Sequence, residues 1–269
     1  MKRMSTHFIT AALVSHIFYS AICFAAHKPF RVVIDPGHGG GDHGTIYDSG
    51  TEQIAEKDVT LLLSFMIARE LKALGMDVRL TRKDDHEIPL GDRTQLANQL
   101  QADLFLSVHM NSTPTKHAQT ASGVETYFLN TTSDASSRRL AHLENTVISH
   151  AGIKTPEQAD VALILRDLRL DANLSESKRL ACTIQDRLGT QRHSRGVKQA
   201  LFHVLLGAEM PSALLEAGFL NNAKDRNWVL SQNGRKTLAT SIAQAVNQFR
   251  IQKNTSVAEH VLSHCMVQR

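Results

Sequence analysis

His38, Glu56, His109 and Glu216 are the side chains of this chain best suited to chemistry. His38 sits in Asp35-Pro36-Gly37-His38-Gly39-Gly40-Gly41-Asp42-His43-Gly44, directly after an apolar run. His109 belongs to Ser107-Val108-His109-Met110-Asn111, Glu216 to Leu214-Leu215-Glu216-Ala217-Gly218, and Glu56 stands just before the first long helical pattern. Two imidazoles and one carboxylate make a three-ligand zinc site with a fourth position left for water, the pattern of a catalytic rather than a structural metal. His38, Glu56 and His109 are the expected ligands of one zinc ion. Glu216 is the carboxylate that could take a proton from the water and pass it to a leaving amine. The spacing alone leaves a structural role open, because His and Glu also occur at strand ends by chance.

These four residues converge only if the segments before them are strands of one sheet, since ligands of an open α/β sheet bind beyond the carboxyl ends of its strands. Residues 30–35 (FRVVID) read as a buried strand stopped by Pro36 and by four glycines in the next five positions, which let the backbone turn His38 inward. Val59, Leu62, Leu63, Met66, Ile67, Leu71 and Leu74 follow helical spacing until Gly75. A strand at 77–81, a helix at 92–101 and strands at 103–109 and 123–129 follow. Further helices are expected at 135–150, 175–189 and 235–251, and strands at 200–206 and 212–216. Strands separated by helical patterns argue for a single α/β domain over 28–252, with a mostly parallel or mixed sheet flanked by helices on both faces. Residues 253–269 form a C-terminal tail.

Composition narrows the function classes. The 269 residues are 42% hydrophobic and 21% charged, enough for one sizeable core. Residues 1–26 have a basic start (Lys2, Arg3), an apolar stretch and small residues before a cut after Ala25 or Ala26, the pattern of a secretory signal peptide. Ile22 before Cys23 argues against a lipoprotein signal. His16, Ser15 and Ser20 weaken the same stretch as a membrane span. Removing Lys2 and Arg3 lowers the net charge from +4 to +2, too mild to indicate nucleic acid but compatible with an acidic polymer. Three cysteines without a CxxC exclude a disulfide scaffold and a cysteine zinc knuckle, so a metal must rest on His and carboxylate. Cleavage would leave Cys182 and Cys265, whose pairing the sequence leaves open.

The blocks DPGHGG around His38, EKD at Glu56, SVHMN around His109 and LLEAGFLNN around Glu216 resemble, in order, those of the zinc-dependent N-acetylmuramoyl-L-alanine amidases of the amidase-3 type. The resemblance spans about residues 35–222. It implies a six-stranded α/β fold, one zinc held by His38, Glu56 and His109, and Glu216 as the catalytic glutamate. The implied reaction cuts the amide between the lactyl group of N-acetylmuramic acid and the L-alanine of a peptidoglycan stem peptide. The setting is wall remodelling or daughter-cell separation in the periplasm, without nucleic acid and without a membrane span after signal cleavage. Arg82, Arg93 and Asn111 match positions where the family tends to keep polar residues, and could position substrate or simply tie loops. Some members carry an inserted helix whose glutamate blocks the zinc until a partner withdraws it. Glu144 in SRRLAHLENTV is the matching candidate, and an activator protein at the division site the matching partner.

Two other motifs are weaker. Gly39, Gly41 and Gly44 fit G-x-G-x-x-G, but a polar stretch (TIYDSGTEQ) separates them from the helix that a dinucleotide site needs. Ser175 and Lys178 form an S-x-x-K, the nucleophile pattern of penicillin-binding enzymes, with companion motifs crowded too closely at Ser231 and Lys236. An ordinary helix capped by Ser175 is the plainer reading. The alternatives to the amidase are a stem-peptide peptidase or carboxypeptidase and a non-catalytic wall-binding module.

Overall fold

A computed structural model describes residues 28–114, 117, 120–146 and 168–253, with backbone only at 168–172. The expected signal peptide, most of the tail and Cys265 lie outside the described residues. Six strands form one sheet in the order β4-β1-β5-β8-β6-β7, namely Asp77–Leu80, Arg31–Pro36, Leu104–Asn111, Ser212–Phe219, Val124–Leu129 and Ser194–Ala200. The first four run parallel; β6 is antiparallel to β8 and parallel to β7, so the sheet is mixed as the alternation implies.

Period-2 burial in the strands divides the core. Val32, Ile34, Leu104, Leu106, Ala213 and Leu215 face α1 (Glu56–Ala73), α4 (Leu168–Gly189) and the last helix, α6 (Gln232–Lys253). Val33, Phe105, Tyr127 and Leu214 face α2 (Leu90–Gln99) and α3 (Ala135–Thr146). At roughly 25 cal/mol per Å² of apolar surface, each large side chain buried in these layers contributes about 1.5–3 kcal/mol. Cys182 of α4 is fully buried and disulfide-bonded, and the other two cysteines lie outside the described residues.

Four segments depart from the sequence-based expectation. Residues 200–206 are not a strand: β7 ends at Ala200, and His203–Leu205 form a 3₁₀ turn that buries Val204 and Leu205. An apolar run has no period to separate strand from turn. The helix expected from 175 begins at Leu168, so exposed Ser175 lies inside it and caps nothing. The stretch TIYDSGTEQ folds as a hairpin, β2 (Ile46–Asp48) against β3 (Gln53–Ala55). A short helix, α5 (Ala223–Leu230), precedes α6; the Asn222 side chain caps it by accepting from the Lys224 and Asp225 amides.

Candidate metal centre and active site

The site lies at the carboxyl ends of β1, β5 and β8. In the parallel pairing of β5 with β8, His109 stands opposite Glu216, and across the antiparallel pairing Glu216 stands opposite Glu125 of β6. Beyond β1 the chain carries His38 in the left-handed region, φ 63°, a conformation costly for a residue with a Cβ. Two glycines make the approach possible. A Cβ on Gly37 would lie 2.5 Å from the His109 ring, and one on Gly44 would lie 2.6 Å from the His38 ring.

Glu56 is the first residue of α1, where the helix dipole favours a carboxylate. Its Oε2 accepts from the Thr45 amide at 2.9 Å and its Oε1 from the Met110 amide at 2.8 Å. Oε1 also lies 3.0 Å from His38 Nε2 and 3.2 Å from His109 Nδ1. Glu144, on α3 above the strand ends, brings Oε2 to 3.3 Å from His38 Nε2 and 3.1 Å from His109 Nδ1. Two imidazole nitrogens thus each face two carboxylates at spacings close to the ligand–ligand edge of a tetrahedral zinc site, about 3.3 Å for bonds near 2.0 Å.

The electrostatics and the hydrogen bonding both fit a cation among these atoms. His38, Glu56, His109 and Glu144 offer donor atoms within 4.8 Å of one another. Among the described residues, His38 Nε2 and Glu144 Oε2 are buried without a hydrogen-bond partner, an uncommon state for buried polar atoms. Burial disfavours a charged His109, yet Glu144 and Glu56 outweigh it and lift its pKa to about 10. The His38 pKa also rises, against burial, through Glu56, Glu144 and Asp42. Burial would raise the Glu56 pKa, but the two histidines hold it well below the usual range. A metal ion supplies the positive charge that the protons otherwise provide.

Asp42 is a residue that sequence reasoning missed. Its Oδ2 lies 2.7 Å from His38 Nδ1, and its Oδ1 accepts from the Gly44 amide at 3.0 Å. A carboxylate on the far imidazole nitrogen fixes the ring and the nitrogen left for a metal. The four-residue step from His38 to Asp42 across a glycine turn was the available signal.

Glu216 is fully buried, and neither of its oxygens has a hydrogen-bond partner among the described residues. Burial first, then the negative charge of Glu144, push its carboxyl well above the usual range. Such a carboxyl takes up a proton more readily than an ordinary carboxylate, which suits a group that carries a proton between a water and a leaving amine.

The other expected site residues sit differently. Arg93 is buried and turned toward the His38 loop: Nη1 donates to Asp35 Oδ1 and the Pro36 carbonyl at 2.9 Å, and Nη2 to the His38 carbonyl at 3.0 Å. Arg82 donates to the carbonyls of Pro36, Gly37 and Lys57. Both arginines therefore brace the loop that presents His38. Asn111 donates through Nδ2 to Glu125 Oε2 at 2.8 Å, beside Glu216. No hydrogen bond joins Ser175 to Lys178 in the structure; buried Ser177, between them, accepts from the Ser212 amide instead.

A mixed α/β sheet with two histidines and three glutamates gathered beyond its strand ends defines an α/β protein with a buried cluster that could hold a metal ion. The sequence model of the N-acetylmuramoyl-L-alanine amidases, amidase-3 type, matches residues 32–248, and the chain belongs to this family. It is 34% identical over 230 residues to the N-acetylmuramoyl-L-alanine amidase AmiC of Neisseria meningitidis, covering 84% of this chain and 53% of that protein. Identity to AmiA of Escherichia coli is 33% over 223 residues, 81% of this chain and 75% of that one. The chain thus spans about half the length of the first relative and three quarters of the second. The crystal structure of the amidase from Clostridium difficile 630 superposes with TM-score 0.63 at 29% identity, over 84% of this chain and 99% of that one.

Proposed function

We propose that this protein is a zinc-dependent N-acetylmuramoyl-L-alanine amidase that acts on peptidoglycan and is held inactive by Glu144. The observation that carries the reading is the convergence of His38, Glu56, His109 and Glu144 beside a buried, unpartnered Glu216. His38 Nε2, His109 Nδ1 and Glu56 would hold the metal. When bound, zinc polarises the scissile carbonyl and lowers the pKa of water. Glu216 receives a proton from the attacking water on a carboxylate oxygen and returns it to the nitrogen of L-alanine as the amide breaks. The Asp42 carboxylate holds the His38 ring in place, and the Met110 and Thr45 amides hold Glu56. Glu144 takes the position that water or substrate needs, so α3 must move for turnover. That requirement supports a partner that draws α3 away.

The cell-envelope setting follows from the substrate and from the signal-like residues 1–26, with periplasmic export and a role in cell separation as parts of the same proposal. Among the described residues, no helix is long and apolar enough to cross a membrane.

The test is digestion of purified peptidoglycan by wild type, Glu144→Ala and Glu144→Ala/Glu216→Ala proteins, each with and without a zinc chelator, with mass analysis of the products. Chelator-sensitive release of intact stem peptides by Glu144→Ala, lost in the double variant, is the expected result. Shortened stems still joined to glycan would overturn the amidase reading in favour of a peptidase.

A further inference from the structure

Beside Glu216 a second polar feature remains that the metal chemistry does not use. Under α3, between the ends of β5, β6 and β8, lies a cavity of about 70 Å³ lined by Asn111, Glu125, Tyr127, Arg139, Arg195 and Phe219, among others. It adjoins the reacting centre: Glu125 is the cross-strand neighbour of Glu216, and Asn111 lies two residues beyond His109 on the same strand. Its volume suits a small polar group rather than a whole side chain.

The charge in this wall is prearranged. Glu125 Oε1 accepts from Arg195 Nε at 2.6 Å and from Lys198 Nζ at 2.7 Å; Oε2 accepts from Asn111 Nδ2 at 2.8 Å and Tyr127 Oη at 2.7 Å. Four donors thus satisfy one carboxylate, whose pKa is lowered despite burial by Lys198 and then Arg195. Arg195 spends only its Nε in this way, while its guanidinium also lies 5.1 Å over the Phe219 ring. Arg139 of α3 spends its Nη2 on the Ser112 carbonyl at 2.8 Å. Among the described residues, the terminal nitrogens of Arg195 and the other nitrogens of Arg139 make no hydrogen bond. Three cations therefore meet one anion here, and two guanidinium edges are left for an incoming acceptor. Guanidinium forks match a carboxylate in shape and charge.

We infer that this cavity is a carboxylate subsite, in which Arg195 and Arg139 bind the free carboxylate of the stem-peptide residue that follows L-alanine. The inference rests on the amidase reading above. Before cleavage the lactyl carboxyl of the muramic acid is tied up in the scissile amide. The anionic groups available near the reacting bond are then those of the stem peptide. Arg195 is the fixed arm, clamped by Glu125 and stacked on Phe219; Arg139, carried by the same helix as Glu144, adds its charge while α3 is in place, the arrangement that binding to wild type reads. A carboxamide at that position would leave the two guanidinium groups without their anion, so the site discriminates between free and amidated stems.

Binding, read independently of turnover, tests this. Calorimetric titration uses L-alanyl-γ-D-glutamyl-L-lysine with the glutamyl α-carboxylate free, the same peptide with that carboxylate amidated, and N-acetylmuramic acid. The proteins are wild type, Arg195→Gln, Arg195→Lys and Arg139→Gln. The free-acid peptide is expected to bind wild type about tenfold more tightly than the amide, the scale of one charge-assisted hydrogen bond. That preference should vanish in Arg195→Gln, shrink in Arg139→Gln and return in part in Arg195→Lys. Gln retains a donor for Glu125, and the Lys variant keeps the test meaningful if Gln disturbs the fold. Equal affinity for the two peptides, binding of neither, or binding of N-acetylmuramic acid alone would each overturn the subsite. Peptide discrimination without release of stems from peptidoglycan by the Glu144→Ala protein would instead count against the amidase reading and leave the subsite standing.

Discussion

At the scale of single residues, the site is a contest over positive charge. His38, His109, Glu56 and Glu144 form a buried cluster in which the two imidazoles hold protons unless a cation replaces them. Zinc uptake by metal-free protein should therefore release protons, and affinity should fall as pH is lowered from about 10, the raised His109 value; calorimetry in buffers of differing ionisation enthalpy reads the proton count. Asp42 orients the His38 ring, so Asp42→Ala should weaken zinc binding by about 10–100-fold, the usual cost of losing a carboxylate behind a metal-bound histidine. A competition titration with a chromophoric chelator measures this, and unchanged affinity would remove Asp42 from the role. Glu216 touches none of the proposed ligands by hydrogen bond. Glu216→Gln is accordingly expected to bind zinc like wild type while losing at least about 100-fold in activity in the Glu144→Ala background, as the loss of a general base predicts.

At the scale of elements, the strand ends and the start of α1 do the positioning, and much of this was legible. Strand β1 was readable because a β-branched run met Pro36 and a glycine cluster. The α1 pattern was readable because its apolar residues recur at helical spacing. The expectation for 200–206 failed because an apolar run reads alike in a strand and in a 3₁₀ turn that covers the core, while β7, at the sheet edge, carries Arg195, Gly196 and Lys198 instead of an apolar pattern. Lys198 and Glu125, which no local pattern marked, owe their roles to strands 70 residues apart in sequence. The bracing of the His38 loop was likewise hidden: Asp35 Oδ1 accepts from Thr81 Oγ1 and Arg93, and Oδ2 from Ser107, all from distant elements. Arg93 and Asp35 are 2% and 0% exposed, so truncating one strands the other as a buried charge. Arg93→Met should therefore cost about 3–5 kcal/mol in urea unfolding and loosen zinc binding through the loop. A loss under 1 kcal/mol would show that the loop holds itself.

At the scale of the whole molecule, the sheet reverses direction between β8 and β6, and the polar network at that seam joins both halves of the chain. Glu125 faces Glu216 across the seam and carries the charges of Arg195 and Lys198 from β7. Burial alone would raise its pKa, but Lys198 foremost and Arg195 hold it below the ordinary carboxylate value. A carboxyl whose folded pKa lies below its unfolded value stabilises the fold above the unfolded value, about 4.3, and loses that contribution as pH falls through the folded value. Glu125→Gln leaves Lys198, which is 7% exposed, without its anion, and should cost about 3 kcal/mol near pH 7. The gap between the two proteins should then narrow below about pH 4, because wild type loses by protonation what the variant already lacks. Thermal unfolding of both proteins from pH 7 to 2.5, with metal chelated so that the histidine cluster titrates alike in each, separates this from a packing defect. A gap that stayed constant across that range would mean that Glu125 holds the seam by shape and hydrogen bonding, with its charge contributing nothing to the acid limit of the fold.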